Sequence, residues 1–475
     1  MTSYDSERYG RHSLGLRRLD FSWMSPFIVM LIIAVGVFCA KFVLKSPVYY
    51  VIGLSLVTII VLILANNIEL GLFAYMFIAA FGFGESPGVQ SPNSHYKAGL
   101  LPSELLLMLL IAIWIVGRFF KGEKPKWVTS AINLPLILFG FTAILSVALN
   151  NLLVGAKRLE HLLLITQIAE VGLLWCTIGA FFLFANALRN EKWIGRLFTP
   201  IVLIGVYVGT AQLLHVHPPI PTTWGPFLVG SALCFLYSRL LFDSLSSGKK
   251  VLFTSLTLIL TAATYVNLSW VSGWLAVSVA LLIITFYKSK TLAVSMIILG
   301  AFVMFVYPGI YGNVQKEAED GGDYDRLIIW QDAYHTVMEV NPVLGIGPGN
   351  YAAYAYEHST LWWANNQKTY TTAHNNYVGI LAEDGFVGLF MFIWVILAGI
   401  VSGHKASKRS PPEFKWLAIS ATAMFAGVAV ACIGGDYLFP SRGNNGIVHF
   451  GTTVYVWLIL GAAVAAANLP GNTDS

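Results

Sequence analysis

His374 closes the polar stretch 307–376, in Thr372-Ala373-His374-Asn375-Asn376, and apolar sequence resumes at Tyr377. That position sets an imidazole at a membrane surface, where neutral imidazole is the natural base near neutral pH. The structural alternative is a histidine capping a helix start beside Asn375 and Asn376. Arg326 lies upstream in the same stretch. A guanidinium stays charged and offers forked donors, which suits a diphosphate; a surface pair with Asp323 or Asp325 would satisfy it equally well.

Other groups have the right chemistry in weaker patterns. Asp323-Tyr324-Asp325 is a DxD string of the kind that holds divalent metal in many sugar-transferring enzymes, but such a triplet arises readily by chance in a Gly/Asp-rich loop. No metal site and no cofactor are assigned from the sequence. Lys157 and Arg158 form an adjacent basic pair just ahead of an apolar run. They could bind phosphate or snorkel toward lipid head groups. Glu160, Gln167 and Glu170 recur on one helical face, and Glu170 lies deep enough to be costly, which makes it a functional hypothesis by default. Helix–helix hydrogen bonding is the other reading. Arg442 is a further candidate anion ligand.

The elements that must position these groups follow from periodicity. Arg326 to Val340 reads as an amphipathic helix with an apolar stripe of Leu327, Trp330, Tyr334, Val337 and Met338. Asn341-Pro342 ends it, because the residue before proline leaves the α region. The following Gly345-Ile346-Gly347-Pro348-Gly349 is turn-rich, and its glycines permit close backbone approach or positive φ. It is not a dinucleotide fingerprint, since no strand precedes it and the spacing is GxGxG.

The chain around this stretch reads as membrane. Of its 475 residues 56% are hydrophobic and 11% charged, with mean hydropathy +0.69, whereas soluble domains carry about 25% charged residues. Apolar runs of spanning length fall near 24–44, 48–66, 68–84, 103–119, 132–149, 161–185, 197–214, 224–243, 251–268, 271–287, 291–308, 376–401, 416–433 and 447–467. The expected fold is an all-α polytopic bundle of about 12–14 membrane helices, with a large external helical loop before the last three spans. Cys39, Cys176, Cys234 and Cys432 sit in separate apolar runs, so neither a disulfide framework nor a metal pair is expected. The first run lacks a small-residue cleavage site and reads as a retained helix, not a signal peptide. With a cytoplasmic amino terminus, about 19 basic residues fall in cytoplasmic segments and about 8 outside. The net charge of +5 is therefore topology and not a nucleic-acid footprint. The expected organisation is a cytoplasmic tail at 1–22, a helix bundle at 23–308, an extracytoplasmic loop at 309–375, membrane helices at 376–467 and a cytoplasmic tail at 468–475.

One ordered set of motifs is familiar: Arg326-x-x-x-Trp330, Asn341-Pro342-x-x-Gly345-x-Gly347-x-Gly349, His374-Asn375-x-Tyr377 and Glu383-x-Gly385-x-x-Gly388-Leu389. The set resembles the O-antigen ligase/polymerase superfamily, polytopic bacterial proteins with a large external loop before their final spans. The resemblance covers about 65 residues by motif and the remainder by hydropathy. It implies a GT-C-like fold in the bacterial inner membrane and metal-independent transfer of an undecaprenyl-diphosphate-linked glycan to a lipid or glycan hydroxyl. His374 matches the family's essential loop histidine, proposed to activate the acceptor. Arg326 matches the arginine thought to engage the diphosphate. Asn375, Tyr377, Gly347 and Gly349 belong to the same motifs and are candidate substrate contacts, with Lys157, Arg158 and Arg442 as candidate phosphate ligands.

One departure stands out. Family members often carry a second arginine in a Ser-Arg-x-Gly-type motif at the outer end of an earlier span; here Ser269-Trp270-Val271-Ser272-Gly273 has Val271 at that place. Lys157, Arg158 or Arg442 supplies the charge, or the donor differs, or transfer has been lost. A transporter is the alternative class, since some relatives carry a bicarbonate-transport label. It should place ionisable groups and broken helices at mid-membrane, and in the sequence Glu170 stands nearly alone at depth. A receptor or scaffold would need neither His374 nor Arg326.

Overall fold

The structure, a computed structural model, describes residues 63–64, 66–80, 89–90, 97–98, 102–120, 127–150, 152, 162–216, 225–266, 271–306, 323–351, 354, 372–439 and 450–469. Its helices are α1 (Ile68–Ala80), α2 (Pro102–Phe120), α3 (Asn133–Asn150), α4 (Leu162–Ala187), α5 (Glu191–Leu197), α6 (Thr199–Leu213) and α7 (Gly225–Phe242). They continue as α8 (Ser247–Val266), α9 (Val271–Lys288), α10 (Lys290–Val306), α11 (Asp323–Val340), α12 (Asn376–Arg409), α13 (Lys415–Ala431) and α14 (Phe450–Ala466). Among the described residues the only strands are β1 (Val89–Gln90) and β2 (Lys97–Ala98), an antiparallel pair of two residues each. The expected all-α polytopic membrane class is what the structure shows. Five helical stretches, at Asn133–Asn150, Gln167–Ala187, Glu191–Leu213, Asn376–Arg409 and Pro412–Ala431, are long and apolar enough to cross a membrane. The apolar runs at 24–44 and 48–66 lie almost wholly outside the described residues.

The chain divides into two compact units. In the one made of 1–67 and 112–125, the Arg118 guanidinium lies 5.2 Å from the centre of the Trp114 ring, a cation–π contact. The other unit, 68–111 with 126–475, holds the remaining described elements. At its centre α13 and α14 are buried almost all round, whereas α10 exposes Ile297, Ile298, Leu299, Phe302 and Phe305, an apolar face fit for lipid. Small residues let the helices approach. Gly205 of α6 meets the α7 backbone at Leu228, Gly427 of α13 meets Ala276 of α9, and Gly461 of α14 meets Phe181 of α4.

Helix α12 runs 34 residues, longer than the apolar run 376–401, because its amphipathic end continues to Arg409 before Ser410-Pro411 stops it. It is broken once. Gly385 takes φ 67 and ψ −166, a conformation open essentially only to glycine.

The helix expected at Arg326–Val340 forms and begins three residues earlier, but its inward face differs from the expected stripe. Ile329, Ala333 and Val337 are buried, while Leu327, Tyr334 and Met338 are 55%, 44% and 44% exposed. Ala333 decides the rotation. A small side chain there lets α11 seat on Ala373, Ile346, Tyr351 and Ala382, and a stripe chosen by side-chain bulk passes over it.

Candidate active site

The junction between the polar stretch and α12 is fixed by its own backbone and side chains. Asn375 caps α12, its Oδ1 accepting from the Tyr377 and Val378 amides at 2.9 and 3.2 Å. Asn376 then ties α12 to the segment 432–439. Its Oδ1 accepts from the amides of Tyr437 at 2.9 Å and Leu438 at 3.0 Å, and its Nδ2 donates to the Phe439 carbonyl at 3.2 Å. Thr372 donates to Asp436 Oδ2 at 2.7 Å and accepts the His374 amide at 3.1 Å. From the other side, the Trp330 indole of α11 donates to the Ala373 carbonyl at 2.9 Å. Tyr377 is part of the frame too, its hydroxyl donating to the Ala429 carbonyl at 2.9 Å.

His374 is held between these fixed points with φ 47, a left-handed conformation that costs a non-glycine residue roughly 1–2 kcal/mol. Its neighbours Thr372, Ala373, Asn375 and Asn376 are buried, and its own side chain is half-buried. Burial and, second, the positive charge of Arg326 lower the His374 pKa from its ordinary value. The two side chains are thus electrostatically coupled, and the imidazole is held neutral near neutral pH. Arg326 sits in the first turn of α11 and is half-buried.

Below the junction the glycine turn and the break in α12 interlock. Gly345, Gly347 and Gly349 take φ 70, 92 and 77. The Ile346 and Gly347 amides donate to the Ala382 and Glu383 carbonyls at 2.9 and 2.8 Å, and the Phe386 and Val387 amides donate back to Pro342 and Val343 at 2.9 and 3.1 Å. Side chains at Gly345 or Gly385 would collide with the opposing backbone. The Ser146 hydroxyl of α3 anchors both halves, 2.6 Å from the Leu344 carbonyl and 3.1 Å from that of Glu383. Glu383 Oε1 accepts from the Gly349 and Tyr351 amides at 3.0 and 3.2 Å. The Gly347 and Gly349 amides are therefore engaged by Glu383.

Between this interlock and the junction lies a cavity of about 60 Å³ lined by four carboxylates, Glu170, Glu383, Asp384 and Asp436, with Phe139 and Phe439 as its aromatic wall. It has room for a few waters and not for a sugar ring. Asp384 is buried, and its Oδ1 has no hydrogen-bond partner among the described residues. Glu170 is thus not isolated, which corrects the sequence reading: chain segments far apart bring the other three carboxylates to it. Asp384 and Asp436 were missed. Asp384 carried the same signal as Glu170, a carboxylate inside an apolar run, whereas Asp436 sits in a turn between two apolar helices, where acid is ordinary. Among the described residues no group of three or more His, Cys, Asp or Glu is arranged to hold a metal ion; the side chains of Asp323 and Asp325 are outside them.

Lys157, Arg158 and Arg442 lie outside the described residues, as does His358, so their place relative to His374 is not described. Val271 opens α9, and the next residue, Ser272, shares a hydrogen bond with the Tyr437 hydroxyl at 2.5 Å. The end of α9 where the second family arginine would fall therefore abuts the same 434–439 segment that Asn376 holds.

These features define an integral membrane protein of the all-helical, polytopic class, with a half-buried histidine and an arginine coupled where a loop helix meets a span. Residues 252–393 match the Wzy_C family model, O-antigen ligase. The match runs from α8 through the first half of α12 and includes both Arg326 and His374. No curated protein matches the chain.

Proposed function

We propose that this protein transfers a lipid-linked glycan onto a hydroxyl acceptor at the outer surface of the bacterial inner membrane. His374 takes the proton from the acceptor hydroxyl as it attacks the anomeric carbon. Arg326 balances the charge that develops on the departing diphosphate. The observation that carries this reading is the coupling of Arg326 to a half-buried His374 inside the O-antigen ligase match. A base kept neutral by burial and by a nearby cation is what acceptor activation needs, and the same cation suits the leaving group. The donor is an undecaprenyl diphosphate carrying the glycan, which arrives activated, so no nucleotide and no metal enter the scheme. The fold is of GT-C type, and the loop 309–375 faces the extracytoplasmic side. Asn375 and Tyr377, being tied into the frame, position His374, and Gly347 and Gly349 shape the interlock beneath it. The charge absent at Val271 comes from Arg442, which follows the 434–439 segment by three residues.

The test is His374→Ala and Arg326→Ala, each at verified membrane expression, with surface glycan as the readout. Loss of transferred glycan in both supports the proposal, and unchanged glycan in either sinks the role given to that residue. A second reading, an ion pathway, is favoured by one observation: the four-carboxylate cavity lies beside a broken helix, as in transporters. Glu383→Gln in proteoliposomes separates the two, because ion flux sensitive to this change with intact glycan transfer would favour transport.

A further inference from the structure

A left-handed non-glycine residue such as His374, with φ 47, persists only where its surroundings over-determine it. The His374 amide donates to Thr372 Oγ1 at 3.1 Å, and the Thr372 hydroxyl donates to Asp436 Oδ2 at 2.7 Å. The order of these two bonds matters. A hydroxyl has one proton to give, and a carboxylate only accepts. Asp436 therefore draws the Thr372 proton to itself and leaves the hydroxyl lone pairs to the His374 amide. Thr372 and Asp436 are both buried, at 4% and 2% exposure, so both bonds are shielded from bulk water.

Asp436 is delivered by a distant part of the chain. Helix α13 ends at Ala431, and the carbonyls of Cys432 and Gly435 accept the Asn376 amide at 3.0 and 3.3 Å. Together with the bonds from the Asn376 side chain to Tyr437, Leu438 and Phe439, they wrap this turn around the first residue of α12. Gly435 admits no side chain, since the Tyr437 ring fills the place. From α14 the Trp457 indole donates to the Leu438 carbonyl at 2.7 Å, and its ring lies 5.0 Å from that of Phe439. Helices α13 and α14 and the turn between them lie outside the 252–393 match. The corner between these two helices thus sets Asp436 against the turn that carries His374.

We infer that Asp436 is a positioning residue, which through the Thr372 hydroxyl holds the His374 turn in its left-handed form. It acts by hydrogen-bond geometry and not by its charge, since burial and Arg326 are what move the His374 pKa. As a contribution to transfer the inference rests on the glycan-transfer reading; as a statement about the turn it does not.

Two readouts on the full-length protein in liposomes test it, one through transfer and one without. Asp436→Ala and, separately, Thr372→Val should each lower kcat roughly tenfold to hundredfold, the worth of a hydrogen bond to a charged group, with little change in donor KM. The double variant should lose little more than either alone, because both act through one pair of bonds. Asp436→Asn keeps an acceptor for Thr372 and should restore kcat to within about fivefold of wild type, with the acidic limb of the pH–rate profile unmoved. Carbethoxylation of the His374 side chain by diethyl pyrocarbonate, read by peptide mass spectrometry, reports the turn whether or not the protein transfers glycan. It should quicken in Asp436→Ala and Thr372→Val and stay at the wild-type rate in Asp436→Asn. Wild-type carbethoxylation in both Asp436→Ala and Thr372→Val would overturn the inference. Additive losses of kcat in the double variant would do the same, as would a shifted limb in Asp436→Asn. Were His374→Ala to transfer normally, the glycan-transfer reading would fall, and carbethoxylation alone would decide the role of Asp436.

Discussion

At His374 two effects act in the same direction. Burial removes water that would solvate the imidazolium, and Arg326 repels it. Protonation is therefore disfavoured in the folded protein, and the fraction of neutral base rises as pH climbs through a value below the ordinary 6.5 or so. The acidic limb of the transfer rate should accordingly lie below that ordinary value. Arg326→Gln removes the smaller of the two causes, so the limb should move toward higher pH without reaching that of an exposed histidine. A pH–rate profile of the two proteins measures this, and an unmoved limb would show that Arg326 does not act on His374. The same sign applies to stability. The contribution of neutral His374 is present above the unfolded pKa and is lost as pH falls through the lower folded value.

The elements around this residue are held by backbone and not by bulk. The glycine turn and the break in α12 share four amide–carbonyl bonds across a gap that admits no side chain at Gly345 or Gly385. Gly385→Ala should therefore cost roughly 1–3 kcal/mol for the backbone conformation alone, with collision added. Thermal unfolding in detergent should show a clear drop, whereas Gly300→Ala, in open space on α10, should not. Trp330→Phe removes the bond to the Ala373 carbonyl, worth about 1 kcal/mol, and frees the turn that carries His374. The expected outcome is a lower turnover with little change in donor KM; a KM effect alone would place Trp330 on the donor instead. Much at this scale was legible in the sequence. Hydropathy located the spans, proline ended α11, and the glycine pattern announced positive φ. The inward face of α11 was not, because Ala333 does its work by being small.

Across the whole molecule the charge pattern predicts that the loop and the carboxyl end of α12 lie on opposite sides of the membrane. Cysteines placed at exposed Glu339 and at exposed Lys408 test this. An impermeant thiol reagent added outside intact cells should label the first and spare the second. The acidic cavity was illegible from sequence for a reason of the same scale. Glu170, Glu383 and Asp436 belong to three distant stretches that meet only when α3, α4 and α12 pack with the 432–439 segment. His374 and Arg326, in contrast, could be paired in advance because one ordered set of motifs contains both. The role proposed for His374 is that of the base in a glycan transfer. Full-length protein reconstituted in liposomes with a lipid-diphosphate glycan and a hydroxyl acceptor tests it most directly, by single-turnover transfer in wild type and His374→Ala. The expected loss is roughly 10²–10⁴-fold, the usual worth of a positioned general base, with the fold intact by thermal unfolding. Transfer at the wild-type rate by the His374→Ala protein would contradict it.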